Sequence, residues 1–176
     1  MNQYLTLTII ADDRPGIIEK VAAVVTANGG NWLESNMSRL AGKFAGILLV
    51  GIIEEKQSQL LAALETLSSQ GIRVTGEAST VVDQVAGEHL LLTVVGNDRP
   101  GIVGELSSLL ARLHVNVEEL CTHCEDAPMS SEVLFRATAV VSLPTSNSSA
   151  GLNRDQLQDE LEALSDDLMV ELESLE

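Results

Sequence analysis

The sequence is poor in aromatic residues, basic residues and cysteine, and each shortage excludes a class of function. Aromatic residues make up 2% of the 176 residues, whereas hydrophobic residues make up 45%. We therefore expect a packed core built mainly from aliphatic side chains. The same shortage leaves few aromatic rings on which the bases of a bound RNA could stack, as RNA-binding modules require.

Basic residues are few in comparison with acidic ones. The chain has 10 Lys and Arg against 26 Asp and Glu, which gives a formal net charge of −16. A charge of this sign repels phosphate backbones and argues against direct binding of nucleic acid. No apolar run approaches the roughly 20 residues of a membrane helix, and the first residues lack the basic region of a signal peptide. We expect a soluble, cytoplasmic protein.

The two cysteines, Cys121 and Cys124, form a CxxC sequence that also contains His123. Such pairs occur in redox sites and as one half of many metal sites. A structural zinc site usually needs four protein ligands, and the chain has no second pair of cysteines. If the segment is a strand, Cys121 and His123 share one face and Cys124 points to the other. We expect a structural or incidental pair and no metal, with a thiol or metal protein as the alternative.

Histidine is also scarce, and its positions do not indicate catalysis. The chain contains His89, His114 and His123, and none has a carboxylate at a spacing typical of a catalytic pair. No nucleophile with an adjacent base is indicated either. We therefore expect a protein that is not an enzyme, with no catalytic residues and no cofactor.

One hexapeptide occurs almost unchanged twice, as "DDRPGI" at 12–17 and "NDRPGI" at 97–102. Asn31 and Asn116 repeat at the same offset as the two copies. Each copy follows a strand-like alternation and precedes apolar residues at helical spacing. The period of about 85 residues is the size of a small domain and is too long for a solenoid repeat.

The pattern predicts the element order βαββαβ in each half. In the first half we predict strands at 4–11, 32–40, 47–53 and 72–82, a turn at 42–46, and helices from Ile17 to about 28 and over 57–71. In the second half we predict strands at 89–96, 116–128, 130–143 and 168–175, and helices from Ile102 and over 153–167. The predicted domains are residues 1–84 and 88–176, with a linker at 83–88.

A βαββαβ unit closes as a four-stranded antiparallel sheet with both helices on one face, which is the ferredoxin-like arrangement of the α+β class. The stretch "AGILLVGII" at 45–53 is apolar at nearly every position. We therefore expect this strand to be covered on both faces, by the other half of the chain or by a second chain. A homo-oligomer is expected, with a dimer favoured.

The DRPG corner has the chemistry of a carboxylate site. A strand that runs into a helix leaves unpaired N–H groups at the positive end of the helix dipole. A proline at the first helical position presets φ, and a glycine such as Gly16 or Gly101 lets a ligand approach the backbone.

Polar side chains near each corner complete the pattern. Asp13 and Asp98 can accept a hydrogen bond from an ammonium group or cap the helix. Asn31 and Asn116, which we expect beside the end of the first strand of each half, can bind either end of a ligand. Together these groups fit a free α-amino acid. The same residues also form an ordinary helix start, so local chemistry leaves both interpretations open.

The strand, the D-R-P-G-[IV] turn, the helix and the following Asn resemble the ACT domain family of regulatory, small-molecule-binding modules. Two tandem copies fill nearly the whole chain. The stretch "APMSSEVLFRATAVVSLP" at 127–144 is similar to the matching segment of the family of glycine cleavage system transcriptional repressors. The presence of the motif twice, in register, makes the ACT resemblance specific.

This resemblance implies amino-acid sensing at the corner and often at domain–domain interfaces, with glycine as the first ligand to consider. It further implies a repressor without its own DNA-binding domain, which acts through a DNA-binding transcriptional activator. An ACT-type interaction scaffold without a ligand is the alternative. Asn97 in place of Asp12 and the CTHC sequence depart from the pattern and allow the two sites to differ. The implied ligand-binding residues are Asp13, Arg14, Pro15, Gly16, Ile17, Asn31, Asp98, Arg99, Pro100, Gly101, Ile102 and Asn116.

Overall fold

The chain divides into two compact units, Met1–Asp83 and Gln84–Glu176. The computed structural model describes residues 2–80, 87–127, 132–144 and 152–175. Most of the predicted linker at 83–88 lies outside these residues, as do the strand ends predicted at 81–82, 128 and 130–131. The predicted domain bounds therefore stay a prediction.

Each unit has the predicted element order. The first contains β1 (Asn2–Asp12), α1 (Ile17–Ala27), β2 (Asn31–Leu40), β3 (Lys43–Ile53), α2 (Glu54–Glu65), a 3-10 helix (Thr66–Gln70) and β4 (Ile72–Ser79). The second contains β5 (His89–Asn97), α3 (Ile102–Arg112), β6 (Asn116–Asp126), β7 (Val133–Ser142), α4 (Arg154–Glu162) and β8 (Leu168–Ser174).

Both units form four-stranded sheets in which each described neighbour pair is antiparallel. The strand orders are β2-β3-β1-β4 and β6-β7-β5-β8. Leu5 and Leu7 of β1 share a core with Val21 of α1 and Leu60 of α2, so both helices cover the same face. The predicted ferredoxin-like α+β fold is confirmed in both halves.

The turn predicted at 42–46 is shorter than expected. It consists of Ala41 and Gly42, both with positive φ (48° and 76°), and β3 begins already at Lys43. Two successive left-handed residues make the tight hairpin turn whose twist matches that of the flanking strands. The extra strand residues bring Lys43 level with Asp12 at the end of β1.

Within the first unit the helices cover one face of β3, and the expected cover of its other face by the other half of the chain or by a second chain stays a prediction. Leu48, Val50 and Ile52 are buried against the helices. Ile47, which points the opposite way, is 54% exposed, and Ile53 is exposed as well. Successive side chains of a strand alternate between faces, so Ile47 and Ile53 lie on the face away from the helices of their own unit.

Candidate functional site

The same backbone hydrogen bond holds both corners against the adjacent hairpin. After β1, the N–H of Asp13 donates to the carbonyl of Gly42 at 2.9 Å. After β5, the N–H of Asp98 donates to the carbonyl of Val133 at 2.8 Å. The two DRPG segments are therefore equivalent in backbone structure as well as in sequence.

Left-handed glycines set the direction in which each helix leaves its corner. Gly16 has φ 90° and ψ 2°, and Gly101 has φ 100° and ψ −11°. The helices begin at the next residue, so Pro15 and Pro100 lie in the turn. The prediction of a proline at the first helical position is wrong, because the left-handed glycine separates the proline from the helix. Glycine is favoured here because an L side chain is strained at such φ values.

The predicted capping role of the aspartates is also wrong. No side-chain hydrogen bond caps α1 or α3, because Asp13 and Asp98 stand three residues before the glycine that precedes each helix. Asp13 instead accepts from Arg39, with Nη1 and Oδ2 3.5 Å apart. Both aspartates are exposed to solvent.

A cleft of about 330 Å³ lies in front of the first corner. It brings together all the residues predicted for that corner, with Asn31 as the exception. The cleft is lined by Asp13, Arg14, Pro15, Gly16, Ile17, Ile18, Glu19 and Phe44.

A larger cleft of about 690 Å³ lies beside the second corner. Of the residues predicted there, it includes Gly101 and leaves Asp98, Arg99, Pro100 and Ile102 outside its lining. The cleft extends along α3 towards the end of α4 and is lined by Gly101, Gly104, Glu105, Ser108, Leu109, Arg112 and Leu164.

Asn31 and Asn116 lie at the opposite end of each sheet from the corner. Asn31 is level with Gly51 of β3, and Gly51 is level with Tyr4 near the start of β1. The stretch of β1 from Tyr4 to Asp12 corresponds to about 26 Å of strand. The expectation that these asparagines lie beside the corner of their own unit is wrong, because the crossover helix returns the chain to the start of the first strand.

Basic side chains surround the first corner, and all of them except Arg14 lie outside the DRPG motif. Lys43 pairs with Asp12 across the sheet. The hydrogen bond from Lys43, and then its charge, holds the pKa of the Asp12 carboxyl below its usual range. Arg14 donates to the backbone carbonyl of Gln70, and Lys20 donates to the Gln70 side-chain oxygen at 2.8 Å.

Sequence reasoning named Arg14 and missed the other four basic residues, because the strand register is what brings Arg39, Lys43 and Arg73 to this corner. Five of the chain's 10 Lys and Arg belong to this corner or to the strand positions next to it. In a chain with a charge of −16, such clustering is itself informative. The five are Arg14, Lys20, Arg39, Lys43 and Arg73.

The second corner contains an internal ion pair in place of this cluster. The guanidinium of Arg99 donates two hydrogen bonds to the carboxylate of Glu105, both at 2.7 Å. This bonding raises the pKa of Arg99 and lowers that of Glu105. A bidentate pair, in which two hydrogen bonds join a guanidinium to both oxygens of a carboxylate, is the strongest arrangement available to these two groups.

The CxxC sequence lies within the edge strand β6 and its thiols face opposite ways, as predicted. Cys121 is level with Thr138 and Cys124 with Phe135, whose side chain is buried on the helix side. Three strand residues span about 10 Å, whereas disulfide-bonded cysteines have Cα atoms about 4.4–6.8 Å apart. An intact β6 therefore cannot close this pair as a disulfide.

Metal clusters and membrane spans are both absent from the described part of the chain. No group of three or more His, Cys, Asp or Glu side chains there is arranged to hold a metal ion. None of the helices described has the length and apolar character needed to cross a bilayer.

Comparisons with known proteins match both halves of the chain. The family model described as "ACT domain" matches residues 3–75 and 88–121. The UPF0237 protein of Methanopyrus kandleri is 36% identical over 86 residues, which are 48% of this chain and 88% of that protein.

Two solved structures match this chain over its full length. An unknown protein from Galdieria sulphuraria superposes with a TM-score of 0.85 at 24% identity, and the match covers 100% of both chains. A proposed glycine cleavage system transcriptional repressor superposes with a TM-score of 0.74 at 21% identity, over 100% of this chain and 99% of that one. At these identities the likeness shows a shared fold.

Proposed function

The chain belongs to the ACT domain family, and we propose that it is a regulatory protein that binds a free amino acid at a DRPG corner. The observation that carries this proposal is the cleft of about 330 Å³ at the first corner, which gathers five predicted ligand-binding residues around the start of α1. The N–H groups at this helix start suit a carboxylate. The carboxylate of Asp13 suits an ammonium group.

We further propose that the chain acts as a cytoplasmic repressor of glycine cleavage genes through a protein partner. The support is the shared fold with a proposed repressor of that system and the net charge of −16, which disfavours direct contact with DNA. The partner proposed is a DNA-binding transcriptional activator, and the first effector to test is glycine. Such a protein binds and signals, and it is not an enzyme.

A homodimer fits the position of Asn31. In one unit Asn31 and the corner lie at opposite ends of the sheet, so one small ligand cannot contact both. A second copy of the chain would be needed to bring an Asn31 side chain to the corner. Sedimentation velocity with and without effector tests this, since an effector bound between chains strengthens the dimer.

The primary test is calorimetric titration of the purified chain with a panel of free amino acids, starting with glycine. We expect heat for at least one amino acid, and no turnover of that amino acid when it is incubated with the protein. The absence of heat throughout the panel would favour the interaction scaffold without a ligand. In that case the partner would be sought first, by association with the activator on promoter DNA.

The thiol or metal alternative receives less support. Cys121 and Cys124 point to opposite faces of β6, so they cannot bind the same ion or form a disulfide with each other while the strand is intact. Thiol titration after aerobic purification distinguishes the two functions. Two free thiols per chain are expected for the regulator.

A further inference from the structure

The strand β6 lies at the edge of the second sheet and is exposed along its whole length. The strand order β6-β7-β5-β8 gives it one neighbour only, and all of its 11 residues are exposed to solvent. A bulge between Val117 and Glu119 interrupts its pairing with β7, and the register is regular from Glu119 to Asp126. We call this regular stretch, which is about 24 Å long, the free edge. Every second residue of such a strand directs its N–H and C=O groups away from the sheet.

The opposite edge of the same sheet is occupied by side chains of the chain itself. Arg154 of α4 donates to the backbone carbonyl of Leu172 in β8, and Gln158 of α4 donates to that of Val170 at 3.0 Å. Within the described residues, these two bonds have no counterpart at the backbone of β6. Proteins also protect sheet edges with lysine, proline or short strands, and β6 is long and contains neither residue. Of the two edges, the free edge is the one that can accept another strand.

The side chains of β6 form two rows of different chemistry. Leu120 is level with the buried Ala139 of β7, so its row lies on the helix side, where Leu120 itself is 50% exposed. Glu119 and Glu125 belong to the row on the opposite face, because successive side chains alternate. A strand added at the free edge would place its own alternate side chains beside these two rows. Apolar side chains fit beside Leu120, and basic side chains fit beside the two carboxylates.

The charge of the free edge is only partly neutralised by the chain. Arg136 donates to Glu125 at 3.1 Å. Over the described part of the chain, neither Glu119 nor Asp126 has an ion-pair partner. The whole strand, NVEELCTHCED, contains four carboxylates and no Lys or Arg. An added strand with basic side chains would therefore be complementary to this edge in charge.

A second copy of this chain offers no such complement. Its own β6 would bring the same carboxylates to the contact, and like charges on adjacent strands are destabilising. The edge strand of the first unit, β2, has Glu34 and Arg39 as its charged residues and no net charge. The strand that fits the free edge by charge is therefore a segment of a different protein.

We propose that the free edge Glu119–Asp126 binds an extended segment of another protein in which basic and apolar side chains alternate. Backbone hydrogen bonds add this segment to the sheet as a fifth strand, and its basic side chains pair with Glu119 and its neighbours. The inference rests on the proposed function for the existence of a protein partner, and it adds the surface that the partner binds. It does not depend on the binding of an amino acid.

The probe is a synthetic nine-residue peptide, blocked at both ends, in which lysine and valine alternate. Its binding to the full chain is measured by calorimetry, and amide hydrogen exchange locates it. We expect slower exchange at every second amide of residues 119–126 and unchanged exchange in β2, because a paired strand protects only the amides that point towards it. A peptide with glutamate in place of lysine should not bind.

Glu119→Lys should weaken the binding of the basic peptide about tenfold, since it reverses an unpaired charge at the contact. Glu34→Lys is the matched control. It makes the same change in net charge at the equivalent position of β2, at the offset that relates the two DRPG motifs. Its affinity should stay within about twofold of the wild type. Both positions are exposed to solvent, and exchange at the remaining amides reports that each variant is folded.

Three results would overturn the inference. The first is no binding of the basic peptide, and the second is binding that Glu119→Lys and Glu34→Lys weaken equally, which would indicate diffuse charge attraction. The third is protection of the free edge that appears without peptide as the protein concentration rises, because a second copy would then occupy it.

The same experiment separates this inference from the proposed function. If the peptide does not bind and calorimetry still detects an amino acid, the free edge is removed and amino-acid sensing stays. If the peptide protects the free edge and no amino acid binds, the edge is supported and sensing is removed.

Discussion

Cys124 contacts Asp98 at the position where Arg39 contacts Asp13 in the first unit. Both pairs are related by the offset between the two DRPG motifs. Arg39 and Asp13 form an ion pair at 3.5 Å. The pKa of Cys124 is raised, first because the thiol is partly removed from solvent. The negative charge of Asp98 and the hydrogen bond that the thiol donates to its carboxylate raise it further. The replacement of Arg39 by a thiol at this position leaves the carboxylate of the second corner beside a neutral group.

Asp98→Asn should accelerate alkylation of Cys124. The substitution removes the negative charge that disfavours the thiolate, so the pKa falls and the reactive fraction rises at pH 8. A change of about two- to tenfold in rate is expected. The rate is measured with iodoacetamide by mass spectrometry of quenched samples, and Cys121 in the same molecule is the internal reference. Equal rates for Cys124 in the two proteins would show that Asp98 does not contact the thiol in solution.

Gly101→Ala and Gly104→Ala should change the stability in opposite directions. Gly101 has φ 100°, where an L residue costs about 1–2 kcal/mol. Gly104 lies inside α3, and a Cβ placed on it would meet no atom within 4 Å. Alanine there should raise the free energy of unfolding by about 0.5–1 kcal/mol. Urea unfolding of both variants tests the pair. A stabilising Gly101→Ala would contradict the left-handed assignment.

The sequence was sufficient to predict the fold, because the buried residues recur with the period of a helix or of a strand. Val21 and Val25 recur at helical spacing and are buried, and Leu5 and Leu7 alternate with polar residues and are buried too. Two similar halves supplied an internal check on every element. The strand bounds were less accurate, since the turn at Ala41 and Gly42 depends on φ values that composition does not fix.

The site was harder to predict, because it depends on the direction in which each strand runs and on how far each side chain extends from the backbone. Whether Asn31 lies near the corner depends on the α1 crossover, which makes β2 run parallel to β1. The pairing of Arg99 with Glu105 joins residues six apart across a left-handed glycine, a contact with no standard spacing in sequence. The unequal charge of the two corners appears only when residues are compared copy by copy in three dimensions.

The ion pair of Arg99 and Glu105 should make stability depend on pH in the acid range. The pKa of Glu105 in the folded chain lies below its ordinary value of 4.5. The contribution of the ion pair to the free energy of unfolding is therefore fully present above the pKa that Glu105 has in the unfolded chain. It is lost as the pH falls through the pKa that Glu105 has in the folded chain. Arg99 stays charged throughout this range.

Glu105→Gln should remove this contribution. The difference in free energy of unfolding between wild type and variant should be constant from pH 6 to 7 and should shrink below about pH 4.5. Urea unfolding at several pH values measures it. Arg99→Gln is the control, since Glu105 then loses its partner and the same dependence should disappear. A difference that grows on acidification would contradict the assigned pair.

Neighbouring residues of β3 distinguish the internal core from an external surface. Leu48 is 1% exposed and Ile47 is 54% exposed. Leu48→Ala should lower the free energy of unfolding by about 2–5 kcal/mol, because it leaves a cavity between the sheet and the helices. Ile47→Ala should change it by less than about 0.5 kcal/mol if the face stays open to solvent.

The same two variants also test whether a second chain covers this face of the sheet. If a second chain covers the open face, Ile47→Ala should shift sedimentation towards the monomer and make the apparent stability depend on protein concentration. A loss of stability as large as that of Leu48→Ala, with unchanged sedimentation at all concentrations, would mean that Ile47 is buried within a single chain. That result would contradict the exposed position of Ile47 on the face away from the helices.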